Sequence, residues 1–184
     1  MHETARVPSR ESLDVIRQLV QFNTVSDHSN LPLIEWVQKY LAEYGVQSRL
    51  TFDPKECKAN LFATIGPAGD GGIILSGHTD TVPVVGQAWT TSPFEATVRD
   101  GRLYGRGTVD MKGFIGVCLA LVPQMVATRL SRPFHVALNR NFGRTMASAS
   151  SKAYPPVSRK PLTIAMNAAV IFPRTSSSCH PSNP

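Results

Sequence analysis

Two short stretches carry residue types that can do chemistry. Ser76-Gly-His78-Thr-Asp80 offers an imidazole and a carboxylate two positions apart. Asp110, in Gly105-Arg-Gly-Thr-Val-Asp110-Met-Lys-Gly113, adds a second carboxylate thirty residues later. His78 and Asp80 follow a buried apolar run, Ile73-Ile-Leu75, so they stand where a strand enters a loop. In an extended segment, residues i and i+2 point to the same side. A neutral imidazole is a good zinc ligand, and a carboxylate that accepts its other N–H sets tautomer and ring orientation. His78 is therefore a candidate metal ligand and Asp80 its orienter in the catalytic site. Asp110 follows a glycine-rich approach and opens a helix. A carboxylate there can bridge two cations with its two oxygens. Together these residues make half of a hydrolytic metal site. Taken singly, a histidine such as His78 is more often a structural residue and an aspartate such as Asp110 more often a helix cap.

The glycines Gly101, Gly105 and Gly107 do not make a phosphate loop. The segment lacks the third glycine of a dinucleotide fingerprint and the Lys-Ser/Thr of a P-loop.

The elements that must position these groups are legible from periodicity. Residues 9–22 predict a helix, with Ser9 as cap, Glu11 in the first turn, and Leu13, Ile16, Leu19 and Val20 on one face. A polar loop, Asn23 to Asn30, follows. Pro32 and Gly45 bound a second helix whose Leu33, Trp36, Val37, Tyr40, Leu41 and Tyr44 read as core. Strands are expected at Val46–Phe52, Asn60–Ile65 and Ile73–Leu75. Residues 94–98 and 102–104 form a hairpin through Asp100-Gly101. Met111–Val126 reads as a helix with Phe114, Ile115, Cys118, Leu119 and Val122 on its apolar side, kinked or shortened by Pro123. Phe134–Leu138 is a last short strand. Helices alternating with buried strands argue a layered α/β domain.

The chain has 184 residues and a formal net charge of +6, which suits one domain. Its charge is divided. All 13 acids lie at or before Asp110, where ten Lys and Arg accompany them, while residues 111–184 carry nine Lys and Arg and no acid. Those basic residues are scattered, not clustered as in nucleic-acid arms, so no nucleic-acid partner is expected. Cys57, Cys118 and Cys179 give neither a zinc-finger spacing nor an even disulfide set, which argues a reducing compartment. The N-terminus has no apolar run of a signal peptide, and no apolar stretch approaches the roughly 20 residues a membrane span needs. A cytoplasmic protein without a membrane partner follows.

His78-Thr-Asp80-Thr-Val-Pro-Val, then Trp89, Pro93-Phe94, Asp100-Gly-Arg-Leu-Tyr-Gly-Arg-Gly107 and Asp110-Met-Lys-Gly113, resembles the zinc-dependent metallopeptidase family that includes acetylornithine deacetylase, succinyl-diaminopimelate desuccinylase and aminoacylase. Leu19-Val-Gln-Phe-Asn-Thr-Val-Ser26 fits as well, and the acetylornithine deacetylases look closest. The resemblance implies an incomplete three-layer, zinc-peptidase-like catalytic domain with a mixed central sheet. It implies a two-metal zinc site, with cobalt as an alternative ion, in which His78 binds one metal, Asp110 bridges both and Asp80 stands behind. It also implies a cis peptide at Asp110–Met111. The substrate would be a small N-acyl amino acid, N2-acetyl-L-ornithine in the closest members, with a place in arginine biosynthesis. Family members are homodimers.

The resemblance runs from about Ser9 to Leu138, so the chain divides into residues 1–138, the N-terminal part of such a domain, and a tail at 139–184. The family's catalytic Glu-Glu pair should follow the strand at Pro133–Leu138. Here Asn139-Arg-Asn-Phe-Gly stands instead, and no Glu occurs after Glu95. The remaining ligands, the C-terminal histidine and the dimerisation domain find no counterpart; His135 and His180 match no family position. Residues 139–184 hold eight Ser, six Pro, one Gly and no acid. That tail reads as irregular, either disordered or out of frame, with Leu162–Ile171 as a strand without a clear partner. The expectation is a deacetylase-type chain that is inactive alone, or a non-catalytic fragment serving at most as a binding module.

Overall fold

The structure, a computed structural model, describes residues 9–140 apart from Glu56. The tail beyond residue 140, with the strand expected at Leu162–Ile171, lies outside the described residues.

Helix α1 spans Arg10–Gln21, and Ser9 caps it by accepting from the Ser12 N–H. Its buried face is Val15, Ile16, Leu19 and Val20. Helix α2 spans Leu31–Glu43 with Pro32 in its first turn and buries Leu33, Ile34, Val37 and Leu41. The aromatics of α2 depart from the core reading. Trp36 and Tyr40 are half-buried and Tyr44 is exposed. They form a ladder along the helix edge, with Trp36 and Tyr40 stacked at 5.3 Å and Tyr40 meeting Tyr44 edge-on at 5.2 Å. The aliphatic residues between them fill the core, leaving the flat rings to cover its rim.

Six strands follow: β1 (Ser48–Phe52), β2 (Ala59–Ile65), β3 (Ile73–His78), β4 (Thr97–Arg99), β5 (Arg102–Tyr104) and β6 (Phe134–Asn139). Four make a mixed sheet in the order β1-β2-β6-β3. β2 is antiparallel to both β1 and β6, and β3 is parallel to β6. β4 and β5 pair separately as the expected hairpin. The helix expected over 111–126 is two helices, α3 (Lys112–Ala120) and α4 (Val122–Ala127). Pro123 falls in the first turn of α4, where a missing N–H costs no helical hydrogen bond.

Alternation along β2 buries Ala59, Leu61, Ala63 and Ile65 on one face. With Val136 and Leu138 of β6 they meet Leu33, Ile34, Val37, Leu119 and Val122 from the helices in one core cluster. Two glycines permit the close approach. A Cβ at Gly116 of α3 would stand 2.4 Å from Ile16 Cγ1 of α1, and one at Gly77 of β3 would stand 2.8 Å from Ile115 Cγ1 of α3. The apolar face expected for α3 is thus partly wrong. Phe114 is exposed, while Gly116 is buried against Ile16 of α1 and Gly113 is buried against the Thr108 carbonyl, where a Cβ would not fit. Cys57 is disulfide-bonded, against the expectation of no disulfide set, and Cys118 is a free buried thiol.

Candidate metal centre

His78 is the last residue of β3, in register with Asn139 of β6. The strand carries it to the sheet's edge, where the chain turns through Thr79 and Asp80. Asp110 arrives from the loop after the β4–β5 hairpin, immediately before α3. The Asp110–Met111 peptide is cis, as the resemblance implies. Met111 reaches back beneath His78, whose backbone N–H donates to its Sδ at 3.4 Å.

The three expected residues come together. His78 Nε2 lies 2.9 Å from Asp110 Oδ1. On the ring's other side, Nδ1 lies 3.0 Å from the Asp80 carbonyl oxygen and 3.2 Å from its Oδ1. The orienting role expected of the Asp80 carboxylate is therefore shared with its backbone. The carbonyl has the hydrogen-bond geometry; Oδ1 is buried and close but takes no hydrogen bond of its own. Asp80 Oδ2 accepts from the Ser26 hydroxyl at 2.9 Å.

Exposure sorts the three. The side chains of His78 and Asp80 are 13% and 14% exposed, whereas that of Asp110 is 83% exposed. Burial pulls the His78 pKa down, but the hydrogen bonds and charges of Asp80 and Asp110 outweigh it and raise the pKa from 6.5 to about 9. Two acceptors on opposite sides of one ring favour protonation at both nitrogens.

The pair suits part of a metal's coordination sphere. Two ligands each about 2.0–2.1 Å from a tetrahedral zinc stand roughly 3.3 Å apart. Nε2 and Asp110 Oδ1, at 2.9 Å, need only a few tenths of an ångström of separation. Nδ1, facing Asp80, is already committed as a proton donor, which leaves Nε2 as the coordinating atom. In number the donors fall short. Among the described residues no group of three or more His, Cys, Asp or Glu side chains could hold a metal. His135 does not join: it sits on β6 opposite Ile74, hydrogen-bonds Thr64 Oγ1 and stacks on Phe62. His180 lies outside the described residues.

The sequence reading left the supporting shell unseen. The polar loop Asn23–Asn30 is a strap beside the turn. Val25 bridges Thr81, the Thr81 N–H donates to the Thr24 carbonyl at 2.9 Å, and the Ser26 N–H donates to the Thr81 carbonyl at 3.0 Å. Lys112 is fully buried and donates to the carbonyl of Phe22, the C-cap of α1, at 2.5 Å. Burial lowers its pKa from 10.5 to about 7. A polar run lacking Gly and Pro was the one available signal for the strap. Lysine beside Asp110 gave no signal for burial.

The loop between β3 and β4 is closed by a cation–π contact, with the Arg106 guanidinium 5.0 Å from the centre of the Trp89 ring. No helix among the described residues is long and apolar enough to cross a membrane.

Residues 74–140 match the sequence family described as Peptidase family M20/M25/M40. The chain is 37% identical over 144 residues to an acetylornithine deacetylase of Photorhabdus laumondii, covering 74% of this chain and 37% of that protein. It is 40% identical over 124 residues to the acetylornithine deacetylase of Pasteurella multocida, covering 67% and 32%. The chain thus spans well under half the length of these relatives. Among solved structures it is similar to human carnosine dipeptidase 1, with a TM-score of 0.62 and 20% identity over 70% of this chain and 31% of that one. It is likewise similar to the M20 family metallo-carboxypeptidase Sso-CP2 of Sulfolobus solfataricus, at a TM-score of 0.63 and 19% identity over 71% and 31%. These likenesses are of fold.

Proposed function

We propose that this chain, with its M20/M25/M40 peptidase sequence and fold, is the N-terminal part of a metal-dependent amide hydrolase of the acetylornithine deacetylase type. In complete form such an enzyme would convert N2-acetyl-L-ornithine and water to L-ornithine and acetate. The observation that carries this reading is the placement of His78 Nε2 against Asp110 Oδ1, with Asp80 behind the ring. The curated relatives supply the substrate class.

His78 and Asp110 would hold zinc. Zinc, when bound, supplies Lewis acidity toward an amide carbonyl and acidifies a water. The chain's own residues do the preparatory work. The Asp80 carbonyl accepts a hydrogen bond from Nδ1–H and so presents Nε2 to the site. Ser26 holds the Asp80 carboxylate by its Oδ2. Asp110 offers an exposed carboxylate with a second oxygen for a neighbouring ion.

A specific observation favours a second part to this reading. Two donors fall short of the three or four protein ligands zinc sites use, and no Asp or Glu follows Asp110. We read the isolated chain as a non-catalytic module that binds metal weakly. A general base contributes typically 10²–10⁴-fold to rate, and among the described residues no further carboxylate or imidazole joins these donors. Calorimetric titration of the purified chain with zinc, together with an N-acetylornithine hydrolysis assay, tests both parts. The expected result is weak binding that disappears in His78→Ala, with no turnover above buffer. Tight two-metal binding with turnover would overturn the inactive reading. Zinc binding indifferent to His78 would overturn the site.

A further inference from the structure

Asn30 stands at the N-cap of α2, with φ −100° and ψ 1°, yet its side chain makes no capping hydrogen bond. It is 1% exposed. Its amide faces away from the helix. Oδ1 accepts from the Ala59 N–H at 2.9 Å, and Nδ2 donates to the Ala59 carbonyl and to Thr79 Oγ1, each at 2.9 Å. The side chain thus pairs with both backbone groups of Ala59, at the start of β2, and uses its remaining donor on Thr79.

Thr79 is the residue between His78 and Asp80, and it is fully buried. Its hydroxyl donates to the Asn139 carbonyl at 3.0 Å, and its N–H donates to the same oxygen at 2.8 Å. Its own carbonyl accepts from Thr24 Oγ1 at 2.5 Å. Every polar group of Thr79 is therefore engaged, with Asn30 as the link to β2. The Asp80 carbonyl that orients the His78 ring belongs to the next peptide along, Asp80–Thr81, whose N–H donates to the Thr24 carbonyl, so Thr79 anchors the turn one peptide before it.

We infer that Asn30 is a positioning residue, an amide brace that fixes the His78–Asp80 turn at the expense of capping its own helix. The brace rests on the metal-site reading for its purpose. Only an amide fits the role: it needs one acceptor and two donors at once. Asp supplies acceptors alone and would leave Thr79 and the Ala59 carbonyl unanswered, while serving as a helix cap as well as Asn does.

That contrast gives the test, on the metal-free full-length chain. The readouts are the ring ¹⁵N resonances of His78 and amide exchange at Thr79, in the first turn of α2 and in the α1–α3 core. In Asn30→Asp and Asn30→Ala the His78 resonances should move and Thr79 exchange should quicken about tenfold, as for loss of a hydrogen bond. Exchange in the α1–α3 core should hold. If Asn30 were instead a cap, Asn30→Asp would match wild type and Asn30→Ala would quicken only the α2 first turn; either result overturns the brace. Failure of both variants to fold also overturns it, since a role confined to the turn spares the core. Because no metal is present, a failed zinc titration of the wild-type chain would sink the metal reading alone.

Discussion

His78 Nε2 and Asp110 Oδ1 stand 2.9 Å apart across the end of β3, joining a side chain that is 13% exposed to one that is 83% exposed. The imidazole is held from behind, and among the described residues the carboxylate is held by the imidazole alone. Such a pair is asymmetric: one member is built in and the other can move with little cost.

That asymmetry predicts an order among variants. In zinc titrations, His78→Ala and Asp110→Asn should each abolish the weak site, because each removes one of two donors. Asp80→Asn should weaken it about 10–100-fold, the usual cost of an outer-shell orienter. Equal loss for all three would contradict the division of roles.

At the α1–α3 seam, Gly116→Ala places a methyl where Ile16 Cγ1 is 2.4 Å away. Overpacking of this kind costs about 1–3 kcal/mol. Chemical denaturation should show the loss, and it should be smaller in an Ile16→Ala background, where Cγ1 is absent. A single variant as stable as wild type would disprove the tight seam.

Cys118 gives a pH prediction. Burial raises its thiol from 9.0 to about 11, against a small opposing backbone hydrogen bond. Only the thiolate is nucleophilic. Peptide-resolved mass spectrometry should find Cys118 alkylation by iodoacetamide slow at pH 8 and still climbing beyond pH 9. The linkage has a definite sign. A folded-state pKa above the unfolded one favours the folded state below pH 9, and that contribution is lost as pH rises through 11. A plateau in alkylation near pH 9 would refute the shift.

The absence of Asp and Glu after Asp110 leads us to propose a shift of reading frame near codon 138. Translating the nucleotides beyond codon 138 in the other two frames should yield a Glu-Glu pair soon after the β6 strand. Its absence from both frames rules the shift out.

Much of the scaffold was legible. Ser9, Pro32, the alternation in β2 and the Asp100-Gly101 turn each act within a few residues, and the elements they mark appear within a few positions of their expected bounds. Two expectations failed where packing partners were remote. Phe114 was placed in the core by periodicity but is exposed, while α3 sets Gly116 against Ile16 of α1. The α2 aromatics were placed in the core by helical spacing, but the aliphatic residues beside them fill it.

What the sequence determined alone was the chemistry on offer: His78, Asp80 and Asp110, their order, and the strand and helix ends that carry them. Residue type and local spacing suffice for that. What the tertiary structure alone decided was the use of each atom. It turned Nε2 toward Asp110, directed the Nδ1 hydrogen bond to the Asp80 backbone carbonyl and not its carboxylate, and drew Asn30 from its helix cap to Ala59 and Thr79. Those partners lie 29 and 49 residues from Asn30. A hydrogen bond between such distant positions exists only once the sheet and helices have closed around it, so no local pattern encodes it.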